Sequence, residues 1–228
     1  MGEGKRLCVR GERLLKILES SVEYRPEEYV VHVASDNPFL TLVGIILSQN
    51  TTDKNAIAAL KRFREEVGDT PEKVLEKGYE AVARAIRTSG SYRRKAEAIV
   101  ELARRLVARG GVSYLKTASP SELREFLSSI KGIGRKTVDV FLSFTGKEKV
   151  FPVDTHARRI AYRWGLTSSP KARYEEVSKA LAEHFGENVD YERAHKLIIA
   201  FGRKYCRARW PRCEECPLRN CCPKRLEE

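Results

Sequence analysis

The sequence predicts an almost entirely α-helical protein, on three observations. Apolar residues recur at three- and four-residue spacing along Val74-Leu75, Ala81-Val82-Ala85-Ile86 and Ala96-Ile99-Val100-Ala103-Leu106-Val107, the period of a helix with one buried face. Proline stands at three expected first turns, Pro71, Pro120 and Pro170, preceded by the capping candidates Thr70, Ser119 and Ser169. The one stretch with strand-like composition, Leu42-Val43-Gly44-Ile45-Ile46-Leu47, has no evident partner strand, so it too is read as helix.

The bulk composition narrows the partners. A hydrophobic share of 42% in 228 residues suffices for an ordinary core, in one large domain or two small ones. A net charge of +12 points to a polyanion, because clustered lysine and arginine gain affinity by releasing counterions from phosphates. Charged residues at 32% with a single methionine equally suit a salt-bridged thermophile surface. Glu3, Lys5, Arg6, Arg10, Glu12, Arg13 and Lys16 leave no room near the N-terminus for the apolar stretch of a secretory signal. The longest apolar run, Leu42 to Leu47, falls far short of the ~20 residues a membrane span needs. The expectation is an intracellular protein with no membrane role.

Two local patterns carry candidate chemistry. Ser121 to Ile130 reads as an amphipathic helix, interrupted by Lys131-Gly132-Ile133-Gly134 before a second helix, Arg135 to Phe144. Such a turn is either a plain interhelical connection or a phosphate grip, since Gly132 and Gly134 let backbone approach a ligand and the next helix presents open N–H groups. Lys136 lies in that helix's first turn, where the dipole disfavours an ammonium; a neutral amine there is a nucleophile, a charged one a phosphate contact beside Arg135. Downstream, Phe151-Pro152-Val153-Asp154-Thr155-His156 sets an acid just ahead of a helix through Ala157, Ile160, Ala161 and Trp164. Asp154 is there as an N-cap, or to activate a nucleophile and stabilise positive charge on a sugar.

Five of the six cysteines fall between residues 206 and 222, and Cys206, Cys213, Cys216 and Cys222 form C-x6-C-x2-C-x5-C. Four thiolates so close indicate a metal rather than disulfides in a reducing compartment, and zinc and an iron–sulfur cluster both remain open on ligand chemistry. Cys221 is left over, with an alternative register in which it replaces Cys222. Cys8 is expected to be a buried free thiol. Arg207, Arg209, Arg212 and Arg219 make the cysteine segment basic.

Taken together, Leu47-Ser48-Gln49-Asn50-Thr51-Thr52-Asp53, Gly132-Ile133-Gly134-Arg135-Lys136-Thr137 and Val153-Asp154-Thr155-His156 resemble the signatures of the endonuclease III family, in order and approximate spacing. The resemblance covers residues 25–225. It implies two helical domains with a DNA-binding cleft between them: a six-helix domain over 30–147 with the helix-hairpin-helix, and 1–29 plus 148–228 with a C-terminal [4Fe-4S] cluster loop on Cys206, Cys213, Cys216 and Cys222. The implied activity is a DNA glycosylase and abasic-site lyase in base-excision repair, on oxidised pyrimidines in double-stranded DNA, acting as a monomer. Lys136 would attack the sugar carbon bearing the damaged base and form a Schiff base, with Asp154 assisting and His156 a nearby or phosphate contact. Gln49 would fill the gap left by an extruded nucleotide. For Thr51, Thr52 and Asp53 the favoured reading is capping of the next helix.

The sequence departs from the family pattern in Gly90-Ser91-Tyr92-Arg93-Arg94-Lys95-Ala96. A leucine usually follows that glycine and wedges into the opposite strand; Ser91 fills less space, and Tyr92 or Arg93 would have to substitute by stacking. Asp139 replaces a common asparagine. Rival readings are a thymine or uracil mismatch glycosylase on the same scaffold, a non-enzymatic iron–sulfur DNA-binding protein, and a zinc-stabilised RNA-binding module.

Overall fold

Capping side chains and prolines set where the helices begin in the computed structural model, which describes residues 6–34 and 36–226. In chain order the α-helices are α1 Gly11–Ser21, α2 Val30–Val33, α3 Pro38–Leu47, α4 Asp53–Glu66, α5 Pro71–Ala85, α6 Tyr92–Val107, α7 Val112–Thr117, α8 Pro120–Ser128, α9 Arg135–Phe144, α10 Thr155–Arg163, α11 Tyr174–Phe185 and α12 Tyr191–Lys204. No strand occurs among the described residues. None of the helices is long and apolar enough to cross a membrane.

The chain divides into two compact units: Arg25–Glu148, and Met1–Tyr24 together with Lys149–Glu228. In the Arg25–Glu148 unit, α3 is central. The Asn37 side chain accepts from the Phe39 and Leu40 N–H groups, Pro38 opens the first turn, and every residue from Phe39 to Leu47 is buried. A helix apolar on all sides has no polar face to reveal its period, which is why Leu42–Leu47 looked strand-like. Around it, Thr52 caps α4, Thr70 caps α5, and Ser119 with Glu122 forms a capping box on α8. A left-handed Gly78 (φ 75°) breaks α5 into two short helices. The buried stripe of α6 runs through Ala96, Ile99, Leu102, Ala103 and Leu106. Val107 and Leu75, read as inward from the sequence, are exposed at the ends of their stripes.

In the other unit, the core joins distant sequence. Leu7, Leu14 and Leu18 pack with Phe151, Trp164, Phe185 and Phe201, and the Leu7 N–H donates to the Trp164 carbonyl at 2.8 Å. The rings of Phe151 and Phe185 stack at 5.5 Å.

Two sequence expectations are corrected. Ser169-Pro170 starts no helix: Lys171 N–H donates to the Ser169 hydroxyl and Ala172 N–H to the Ser169 carbonyl, closing a turn. The Arg158 guanidinium then holds the Ala172 carbonyl, so α11 begins only at Tyr174, whose hydroxyl receives the Val153 N–H. Cys8 is exposed rather than buried. Leu7 takes the inward position, and the Cys8 thiol turns to Cys221, whose hydrogen bond holds it above the ordinary thiol range.

Candidate active site

The hairpin between α8 and α9 is built on one strained position. Gly132 has φ 95°, and a Cβ there would approach the Ala98 Cβ to 3.1 Å. Gly134 has φ −87° and ψ 172°, open to any residue, and a Cβ on it would meet nothing. Between them Ile133 is buried and anchors the turn, its N–H on the Ile130 carbonyl. Gly134 has no side chain to cap α9, so no N-cap side chain takes up the first-turn N–H groups, the condition under which a helix start can bind an anion. Lys136 is exposed on that turn. Beside it Arg135 lies 4.0 Å from Asp139.

Asp139, to which the sequence assigned no role, is fully buried and receives Arg124 at 2.6 Å. Arg124 also grips Glu148 at 2.7 Å, so one guanidinium from α8 ties α9 to the segment that follows it.

Gln49 reaches the hairpin directly. Its side-chain amide donates to the Gly132 carbonyl at 3.1 Å and to the Thr137 hydroxyl at 3.0 Å. Ser91 sits ahead of α6 in a left-handed conformation (φ 45°) that non-glycine residues seldom adopt, exposed and making no capping bond. Tyr92 is half-buried, with the Arg93 guanidinium 5.7 Å from its ring centroid.

The sequence reading missed Lys95, which is buried and donates from Nζ to the Leu47 carbonyl at 2.8 Å and the Ser89 carbonyl at 2.6 Å. Burial lowers its pKa to about 8. The signal was available: Lys95 stands four residues before Ile99, on the stripe that faces inward.

In the other unit, Asp154 caps α10, accepting the Ala157 N–H at 2.8 Å. Its carboxylate is 11% exposed and lies 3.9 Å from His195 Nε2, a second residue the sequence did not single out. His156 is half-buried, with Nδ1 3.0 Å from Arg159. It packs where α12 carries Gly202; a Cβ there would come within 2.5 Å of that nitrogen. Arg159 continues to the Cys206 carbonyl at 3.0 Å, linking the helix of Asp154 and His156 to the cysteine segment.

Cys206, Cys213, Cys216 and Cys222 line one cavity, and Cys221 does not. The cavity lining matches the register with Cys222, one of the two left open by spacing. Burial pushes the Cys206 and Cys216 thiols up and Cys222 to about 11, with mutual repulsion of the thiolates adding to it. Thiols held up in this way ionise together only on a cationic centre, which suits the donor set to a metal group. Among the described residues no group of three or more His, Cys, Asp or Glu side chains stands at metal-binding separation. Buried Arg163 braces the segment, donating to the Arg207 and Ala208 carbonyls at 2.6 and 3.2 Å with Cys206 Sγ at 3.6 Å. On the surface, Arg212 pairs with Glu215, Arg219 holds the Glu214 carbonyl, and Arg209 is exposed beside Trp210, itself 87% exposed.

A helical fold with a glycine hairpin that feeds an exposed lysine defines a helix-hairpin-helix DNA-repair protein, and comparison with known proteins agrees. The family described as HhH-GPD superfamily base excision DNA repair protein matches residues 43–187. Endonuclease III of Sulfolobus acidocaldarius is 37% identical over 193 residues, 84% of each chain. That of Thermotoga maritima is 36% identical over 188 residues, 82% of this chain and 83% of its own. A non-covalent endonuclease III–DNA complex superposes with a TM-score of 0.73 at 28% identity, covering 94% of each chain. A thermostable thymine-DNA glycosylase gives the same TM-score, 0.73, at 21% identity over 92% of this chain and 91% of its own, a likeness of fold alone. The chain belongs to the HhH-GPD superfamily and, within it, to the endonuclease III family. It is a base-excision repair enzyme, a DNA glycosylase with abasic-site lyase activity.

Proposed function

We propose that this glycosylase and lyase acts as a monomer inside the cell on oxidised pyrimidines in duplex DNA, with Lys136 as nucleophile and Asp154 as its carboxylate partner. The observation that carries the reading is the exposed Lys136 amine on the uncapped first turn of α9, directly after the hairpin. Backbone N–H groups of that turn would hold a phosphate while the amine nitrogen attacks C1′ of an extruded nucleoside. The C1′–N bond breaks and the base leaves with a proton. The sugar ring then opens as the C1′–O4′ bond breaks, O4′ taking up a proton from water, which leaves an iminium at C1′; the iminium acidifies C2′, and loss of a proton there expels the 3′ phosphate by β-elimination. Asp154 would take the amine proton and offset positive charge on the sugar. Gln49, Ser91, Tyr92 and His156 would contact the DNA around the extruded nucleotide.

The cysteine cavity supports a [4Fe-4S] cluster held by Cys206, Cys213, Cys216 and Cys222. The cluster would supply cross-linking charge and rigidity to a basic segment. Here the chain's own part is to present Arg207, Arg209 and Arg219 to phosphates.

Borohydride trapping on a lesion-bearing duplex tests the nucleophile. Wild type should give a covalent adduct and Lys136→Gln none; an adduct that persists in the variant assigns the wrong amine. Ser91, exposed where a wedge is expected, favours a second reading, mismatch glycosylase activity on thymine or uracil. A duplex panel separates the two by which base is released fastest.

A further inference from the structure

Lys95 has a geometry that the catalytic reading leaves unused. Burying an ammonium is costly unless its hydrogen bonds are replaced, and here two main-chain carbonyls replace them. The two acceptors lie 48 and 6 residues away in sequence and close two different elements. Leu47 is the last residue of α3, and Ser48 to Thr52 follow, including Gln49 on the hairpin. Ser89 ends the 3₁₀ turn Arg87–Ser89, and the positive-φ pair Gly90 and Ser91 follows it into α6. One side chain therefore pins the roots of both segments that carry the candidate gap-filling residues, each two residues from its bond. Ser91 holds a strained conformation without any capping bond of its own, so its place depends on what anchors the chain just before it.

We propose that Lys95 is a positioning residue: it sets the spacing between the Gln49 and Ser91 segments so that both are in place when a nucleotide leaves the stack. This rests on the reading that those segments meet DNA. Extrusion of a base-bearing nucleotide needs both fillers placed, whereas a preformed abasic site has no base to unstack. Lys95 should thus govern the glycosylase step and spare the lyase step, and a merely structural lysine would move both together.

The test compares Lys95→Met with wild type on two duplexes, one bearing 5-hydroxyuracil and one bearing a preformed abasic site, well below the variant's melting temperature. Excision of 5-hydroxyuracil under single turnover should fall by roughly ten- to a hundredfold. Cleavage of the abasic duplex should stay within about twofold, and fluorescence of a 2-aminopurine next to the lesion should lose its extrusion signal. Parallel loss of both activities, or loss of neither, overturns the proposal. If Lys95→Met does not fold, the same ratio is read on Lys95→Gln, which keeps two N–H donors on a shorter chain. Gln49→Ala separates the two layers of the argument. Where it excises at the wild-type rate, the reading of these segments as DNA contacts has failed; where it is slow and Lys95→Met is not, the positioning role alone has failed.

Discussion

Asp154 caps α10 and is proposed to act in the chemistry with the same carboxylate, and substitutions divide the two tasks. Its cap on α10 needs an oxygen acceptor for the Ala157 N–H; its proposed chemistry needs a charge. Asp154→Asn keeps the acceptor, so folding stability should change by less than about 0.5 kcal/mol, while Asp154→Ala should lose about 1 kcal/mol in urea titrations. Base release should slow by about a hundredfold or more in both variants. Equal stability loss in Asn and Ala would mean that the charge, not the acceptor, holds the helix. Lys136, Asp154 and the four cysteines could be proposed from the sequence because their chemistry is specific to residue type and their spacing is short. Lys95 was not, because a lysine among Arg93 and Arg94 looks like surface until its partners 48 and 6 residues away are known.

At the scale of elements, the hairpin depends on one glycine of its two. Gly132→Ala puts a side chain at φ 95° and 3.1 Å from Ala98 Cβ, and should cost about 1–2 kcal/mol from the backbone alone. Gly134→Ala meets ordinary φ and empty space, and thermal melts should show it near wild type. A large loss at Gly134 instead would mean that close approach of another group governs that position. The sequence supplied the hairpin as a pair of glycines; only the backbone angles distinguish them. The α8–α9 pairing is a similar case. Asp139 read as an unexplained departure, yet it is the buried acceptor for Arg124, and a carboxylate with no exposure needs such a partner.

At the scale of the whole molecule, the unit of Met1–Tyr24 with Lys149–Glu228 is assembled from the two ends of the chain. His184 is one of its ties. It is buried, its Nε2 is 2.8 Å from the Val9 carbonyl, and burial lowers its pKa to about 4, with Arg10 and Arg6 opposing the protonated form. The unfolded chain takes up this proton near pH 6.5, the native one only near pH 4. The neutral ring's contribution is therefore complete above 6.5 and lost as pH falls to 4, up to about 3 kcal/mol. Urea titrations at neutral pH and at pH 4.5 should show wild type losing more stability than His184→Gln, which keeps an N–H for Val9 and does not titrate. Identical losses would place the acid sensitivity elsewhere.

Local sequence determined most of the helix starts, the hairpin, the nucleophile and acid candidates, and the cysteine cluster with its two registers, since caps, prolines, periodicity and ligand spacing act over a few residues. Ser169-Pro170 shows where that range ends: the residues carry a start signal, but Arg158 holds the Ala172 carbonyl and the helix begins later. Only tertiary structure decided that Gln49 lies on the hairpin, that Lys95 is buried, and that Cys221 faces Cys8 instead of the cavity. Burial and partner choice depend on which distant segments pack together, and no local pattern encodes that distance.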